Sequence, residues 1–212
     1  MVSGSATGQV ALATIYDLKP AFQSLLRRPA GALARAGVTA NQVTLTALLV
    51  SAAAGLLLLA FPTDRRVLAL VPVVLFLRMA LNAIDGMLAR EHGMTSRLGA
   101  VLNELGDVVS DAVLYLPFAF IPGVPAGWVV LVVLVGILGE MAGVVAVQIG
   151  ASRRYDGPFG KSDRAFLFGL VALLLAAGVE PGAWLGMLLA AACALGVLTI
   201  YNRVRAGLRE AR

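Results

Sequence analysis

The chain has 212 residues, 59% of them hydrophobic and only 14% charged, with a mean hydropathy of +0.88. Soluble domains carry roughly 25% charged residues, so this composition excludes an ordinary water-soluble domain and indicates a polytopic helical membrane protein. The net charge of +5 reports topology and headgroup contact, not nucleic-acid binding, and a single cysteine, Cys193, rules out an intramolecular disulfide and a Cys-rich metal centre.

In chain order, the first residues (MVSGSATGQVALATIYDLKP) lack a basic stretch followed by a long apolar one, so no signal peptide is expected. Residues 15–39 are not oily enough to span. Leu18, Phe22, Leu25 and Leu26 recur at helical spacing opposite Lys19, Arg27 and Arg28, which predicts an amphipathic helix lying in the interface and broken at Pro29. Thr39-Ala-Asn41 offers capping side chains to the run that follows. Six spans are expected: 40–61, 67–90, 98–121, 126–150, 164–179 and 183–201. The expected fold is therefore all-α, with six transmembrane helices preceded by an interfacial helix. The whole chain, 1–212, forms one domain: a segment at 15–39, a bundle at 40–201 and a tail at 202–212.

Six spans put both termini on one side. All but three of the 17 Lys and Arg residues fall on the N-terminal segment, the 90–97 turn, the 151–164 loop and the tail; the exceptions are Arg65, Arg66 and Arg78. The positive-inside rule makes that face cytoplasmic. The expected location is a bacterial inner membrane, crossed several times, with both termini cytoplasmic.

The stretch from Leu81 to Ala112 concentrates five of the twelve acidic residues (Asp85, Glu91, Glu104, Asp107, Asp111) among oily helices. Ionisable groups in lipid are costly unless paired, hydrated or metal-bound. Asn82 lies about 12 Å up one helix from Arg90, and Asn103 about 9 Å up the returning helix from Arg97, at 1.5 Å per residue. The spacing thus predicts a helical hairpin with Asn82 and Asp85 on one wall and Asn103, Asp107 and Asp111 on the other. Such oxygen ligands suit Mg²⁺ or Mn²⁺, ions commonly shared with substrate phosphates. By the same rise Asp111 lies deeper, at about 21 Å, where it either completes the metal set or lines the cavity floor. Gly86, Ala89 and Arg90 form a small-residue face ending in a guanidinium suited to a diphosphate. Taken singly, Gly86 and Ala89 read better as helix-packing residues and Arg90 as a membrane anchor; it is the whole set at this spacing that points to a ligand.

These residues resemble the signature of the CDP-alcohol phosphatidyltransferases, D-x2-D-G-x2-A-R-x8-G-x3-D-x3-D. Here it reads Asn82-x2-Asp85-Gly86-x2-Ala89-Arg90-x8-Gly99-x3-Asn103-x3-Asp107. Gly37-Val-Thr-Ala-Asn41-Gln-Val-Thr44 is similar to the family's opening of the first span, and the loop at Gly157 to Arg164 to its loop between spans four and five. The resemblance covers nearly the whole chain and points to a bacterial subgroup. It implies a metal-dependent enzyme that moves a phosphatidyl group from a CDP-lipid, such as CDP-diacylglycerol, to an alcohol, releasing CMP. It implies Asp107 as general base, and Asn82, Asp85, Asn103 and Asp107 around one or two Mg²⁺ or Mn²⁺ ions; Asp111, one turn past the signature, is a further candidate ligand from its place on the same helix face. Gly86, Ala89, Arg90, Gly99 and Asn41 would hold the CDP-lipid. Arg153, Arg154, Lys161 and Arg164 would hold the acceptor, as an anionic pocket if that acceptor is phosphorylated. A homodimer is implied as well.

The first and third signature aspartates are asparagines here, and each change removes a full negative charge. Two divalent cations and a diphosphate leave a surplus of about two positive charges, which Asp85 and Asp107 just match. A non-catalytic CDP-lipid-binding member is therefore a second reading. A third, weaker one is a UbiA-type prenyltransferase, whose Asn/Asp-rich motif Asn103-x3-Asp107-x3-Asp111 resembles. That class has more spans and a second acidic motif. Glu140, within the fourth span, fits dimer contact, cavity lining or a protonated carboxyl.

Overall fold

In the computed structural model, residues 15–211 are described. They form seven helices and no strand: α1 (Ile15–Arg35), α2 (Ala40–Ala60), α3 (Arg65–Glu91), α4 (Arg97–Tyr115), α5 (Ala126–Gln148), α6 (Lys161–Ala176) and α7 (Ala183–Glu210). Leu116–Phe120 continues α4 as a 3-10 segment with Pro117 at its start. The reading that residues 1–14 carry no signal peptide lies outside the described residues.

Local sequence sets most helix starts. Thr39 Oγ1 accepts from the Gln42 N–H at 3.3 Å while Gln42 Oε1 accepts from the Thr39 N–H at 2.8 Å, a reciprocal cap that opens α2. Asp64 caps α3 through the Arg66 N–H, and Ser96 caps α4 through the Gly99 N–H at 2.9 Å. α6 begins at Lys161, three residues earlier than the sequence suggests, because Asp163 accepts from the Gly160 N–H at 2.8 Å. That shift matters: Lys161 is a helical residue with a fixed direction.

Pro29 does not end α1. The helix runs on to Arg35 because Pro29 is exposed and the next residue, Ala30, is buried in a small cluster with Ala40, Val43, Ile84, Met87 and Leu88. Packing there offsets the one hydrogen bond a proline removes. Leu26, Leu33 and Ala34 join this cluster, Leu25 is exposed, and Phe22 meets Phe76 of α3 edge-on at 5.9 Å. Leu18 and Lys19, also expected on the two faces of this helix, have side chains outside the described residues.

Four helices, α2, α3, α5 and α7, are long and apolar enough to cross a membrane. Two of the expected spans do not meet that standard by themselves. α4 carries Arg97, Glu104, Asp107 and Asp111, and α6 has 16 residues.

α2 packs along both α3 and α4, α5 pairs with α7, and α6 lies on α3. Gly55 makes the α2–α4 crossing possible, since a Cβ there would run into the Val113 carbonyl. The main core is centred on Tyr115, Phe118 and Phe168; the Tyr115 and Phe168 rings stack at 4.2 Å. Cys193 is buried and free in that core. The consecutive helices α3 and α4 make hardly any close backbone contact, so the expected hairpin is splayed. Polar side chains bridge the space between them.

Candidate active site

Three side-chain groups occupy that space and its mouth. The first is the amide–carboxylate group. Asn82 of α3 donates through Nδ2 to Asp107 Oδ1 of α4 at 3.1 Å. Lys161 of α6 reaches the same oxygen. Arg78, one helical turn before Asn82, lies 3.7 Å from it and donates to the Asp107 backbone carbonyl at 3.0 Å. The closest of these side-chain contacts all fall on Oδ1. Asp85 is buried and accepts from Thr44 Oγ1 of α2 at 2.8 Å. It lies within electrostatic reach of Asp107 and Lys161. Asn103 is exposed on the same face of α4.

The second group is a small-residue cradle. The Arg90 guanidinium folds back over Gly86, where a Cβ would sit 2.9 Å from Nη2. The Asn41 amide lies against Gly99, where a Cβ would be 2.8 Å from Oδ1. Ala89 packs partly buried against the Met87 and Leu88 cluster. Both glycines of the motif thus admit a polar side chain from nearby.

The third group is an array of buried ion pairs that joins five helices and a loop. Arg78 Nη1 donates to Asp111 Oδ1 at 2.5 Å, and Arg164 takes Asp111 Oδ2 through Nε and Nη2 at 3.0 and 2.8 Å. Arg164 Nη2 also donates to Glu140 Oε1 at 3.1 Å. Glu140 Oε2 accepts from Arg153 at 2.9 Å and lies 3.2 Å from Arg203 of α7. Arg203 donates to the Gly139 carbonyl at 2.6 Å. Arg153 bridges Glu140 to Glu104, which it meets through two bonds at 3.0 and 2.9 Å. Burial works against the Arg153 charge, but the hydrogen bonds to Glu104 and Glu140 outweigh it and raise its pKa above the usual arginine value. Gly136, Gly139 and Gly143 of α5 make room for these arginines. Arg78 Nε and the Tyr115 hydroxyl, just below, are buried without a hydrogen-bond partner.

At the surface Arg154 pairs with Asp156, at 2.8 and 2.9 Å, and with Glu210. The Arg154 guanidinium holds the Asp156 carboxyl below its ordinary pKa, and the Ser152 N–H and hydroxyl, with Arg154, do the same for Glu210. A cleft of about 600 Å³ opens here, lined by Arg154, Asp156, Asn202, Arg205, Arg209 and Glu210.

The expected residues therefore separate. Asn82, Asp85 and Asp107 come together, with Asn103 on the same α4 face. Asp111, expected as a ligand or as the cavity floor, has both oxygens engaged by guanidiniums. Of the four basic residues expected around an acceptor, Lys161 reaches the amide–carboxylate group, Arg164 is buried in the ion-pair array, and Arg153 and Arg154 each hold two acids. Among the described residues no three His, Cys, Asp or Glu side chains gather as a metal-holding group, since two of the signature positions are amides.

Residues 37–198 match the family model for CDP-alcohol phosphatidyltransferase, the family to which this spacing and this gathering of residues point. The chain belongs to the CDP-alcohol phosphatidyltransferase family. It is 49% identical over 192 residues to the inner membrane protein YnbA of Escherichia coli (strain K12), across 91% of this chain and 95% of that protein. Its fold is similar to that of Mycobacterium tuberculosis phosphatidylinositol phosphate synthase (PgsA1) solved with manganese and citrate. The TM-score is 0.73 at 20% identity, over 86% of this chain and 88% of that one. PgsA1 with CDP-DAG bound gives 0.70 at 19% identity, over 90% and 92%.

In this member of the family, sequence reasoning passed over Arg78 and Thr44 as site residues and left Glu140 unassigned. Arg78 carried a readable signal. It precedes Asn82 by four residues and Asp85 by seven, on one helix face, and an arginine inside a span needs a counter-ion. Glu140 and Arg203 carried the same signal, but which acid meets which base depends on the packing of α5 against α7.

Proposed function

We propose that this family member transfers a phosphatidyl group from CDP-diacylglycerol to an alcohol and releases CMP, at the cytoplasmic face of a bacterial inner membrane. The supporting observation is the convergence of Asp85, Asn82 and Asp107 with Lys161 from three helices, beside the Gly86–Arg90 and Gly99–Asn41 contacts. The family match and the CDP-DAG bound by the PgsA1 neighbour favour that donor. Six crossings, with α4 and α6 as the polar pair, both termini cytoplasmic and α1 in the interface, complete the reading, as does assembly as a homodimer.

The donor atoms here are all oxygen, from two carboxylates and the amides of Asn82 and Asn103, which fits a hard cation. Asp107 Oδ1 already takes the Lys161 ammonium, so the position accepts positive charge. When bound there, Mg²⁺ or Mn²⁺ supplies neutralisation of the diphosphate and of the departing CMP. We leave Asp111 out of that set and assign it to the ion-pair array. Arg90, over Gly86, takes the diphosphate as a fork; Asn41 and Gly99 border the nucleotide. The acceptor hydroxyl attacks the lipid-bearing phosphorus. Its proton passes to Asp107, and the bond from that phosphorus to the CMP oxygen breaks.

The test is CMP release by the purified chain from CDP-diacylglycerol with Mn²⁺ and a panel of alcohols. Activity is expected, and Asp107→Ala should abolish it. A competing reading, CDP-lipid binding without turnover, draws on the two amides. It prevails if no alcohol yields CMP while the donor still binds.

A further inference from the structure

The cleft between the 151–160 loop and the end of α7 has unbalanced charge. Three arginines line it, Arg154, Arg205 and Arg209, against two acids, Asp156 and Glu210. Arg154 pairs with both acids. Among the described residues no acid pairs with Arg205 or Arg209, and both are exposed. A second hollow, of about 330 Å³, shares these two arginines with the cleft. Its other walls are Tyr201, Val204 and Leu208, which are 57%, 46% and 53% exposed. Helical spacing explains both hollows. Arg205 and Arg209 stand one turn apart, so their guanidiniums reach one group together, while Tyr201, Val204 and Leu208 step by three and four along the neighbouring stripe.

The depth of this end of α7 follows from its length. The helix has 28 residues and is apolar enough to cross a membrane. At 1.5 Å per residue it measures about 42 Å, against a hydrocarbon layer of about 30 Å. About two turns therefore extend into the headgroup layer, and the charged end from Arg203 to Glu210 supplies them.

We propose that the two joined hollows bind an anionic phospholipid as a resident ligand, neither donor nor acceptor. Its phosphate sits on Arg205 and Arg209, whose forks match phosphate oxygens. One acyl chain runs along Tyr201, Val204 and Leu208 toward the hydrocarbon. Asp156 and Glu210 keep Arg154, so the anion displaces no carboxylate. A soluble phosphate would satisfy the two arginines but leave the apolar hollow beside them uncovered. The site uses none of Asn82, Asp85, Asp107 or Lys161, so it stands apart from the transferase reading.

The purified full chain in detergent is titrated with phosphatidylglycerol and, separately, with phosphatidylcholine, and bound lipid is counted by native mass spectrometry. One phosphatidylglycerol should be held about tenfold more tightly than phosphatidylcholine, whose choline cancels the phosphate charge. Arg205→Gln with Arg209→Gln should weaken that binding by about tenfold or more. Arg65→Gln with Arg66→Gln removes the same charge at the start of α3 and should leave it unchanged. Equal loss in both double variants reduces the effect to net charge and overturns the site. Displacement of the lipid by an equal concentration of glycerol 3-phosphate overturns the lipid as occupant. A dimer that dissociates in the Arg205 and Arg209 double variant, with lipid binding unchanged, assigns this face to a second copy and overturns the proposal as well. CMP release enters none of these readings, so failure here leaves the transferase reading standing.

Discussion

Asn82 donates a hydrogen bond to Asp107 that an aspartate at this position is unable to make. Asn82→Asp would set two carboxylates against each other in the protein without metal and supply an extra charge for a cation. The expected outcome is lower thermal stability without metal, a larger stabilisation by Mn²⁺, and Mn²⁺ affinity without substrate raised by about tenfold. Titration calorimetry and thermal unfolding in detergent check it; affinity that falls points to a different metal arrangement. Asp111 makes the opposite case. Asp111→Asn would leave Arg78 and Arg164 short of a charge they are built around. A loss of roughly 3 kcal/mol is expected in detergent unfolding. Unchanged stability would return Asp111 to the list of candidate ligands.

Between elements, small residues decide how close helices come. A Cβ on Gly55 would overlap the Val113 carbonyl, so Gly55→Ala should part α2 from α4 at a cost of about 1–3 kcal/mol. The signature positions Gly99, Asn103 and Asp107 stand on α4, so CMP release should fall with stability. The 151–160 loop is tied to α7 by Arg154 between Asp156 and Glu210, with Ser152 donating to Glu210 at 3.0 and 2.9 Å. Both carboxyls have pKa values lowered in the folded chain, so their contribution is fully present above the ordinary carboxylate range. It is lost as pH falls through the depressed folded values. The protection factor of the Ser152 amide should accordingly stay high at neutral pH and fall below about pH 4.

Across the whole molecule, the helices, the signature and the gathering of Asn82, Asp85 and Asp107 were legible because spacing along a helix fixes which residues share a face. The splay between α3 and α4 was not legible, since it depends on α2 packing against both. Nor was the ion-pair array, in which Arg78, Asp111, Glu140, Arg164 and Arg203 come from five helices whose relative rotation no single periodicity encodes. Pro29 shows the same limit in miniature, because burial of Ala30 overrides a local break. The array ties α3, α4, α5, α6 and α7 into one frame beneath the proposed site. Lipid mass spectrometry of bacteria expressing the chain, against the same cells expressing Asp107→Ala, tests the central claim most directly. The account predicts a phospholipid with a new or enriched headgroup in the first cells only. Identical lipid profiles in both would contradict phosphatidyl transfer at this site.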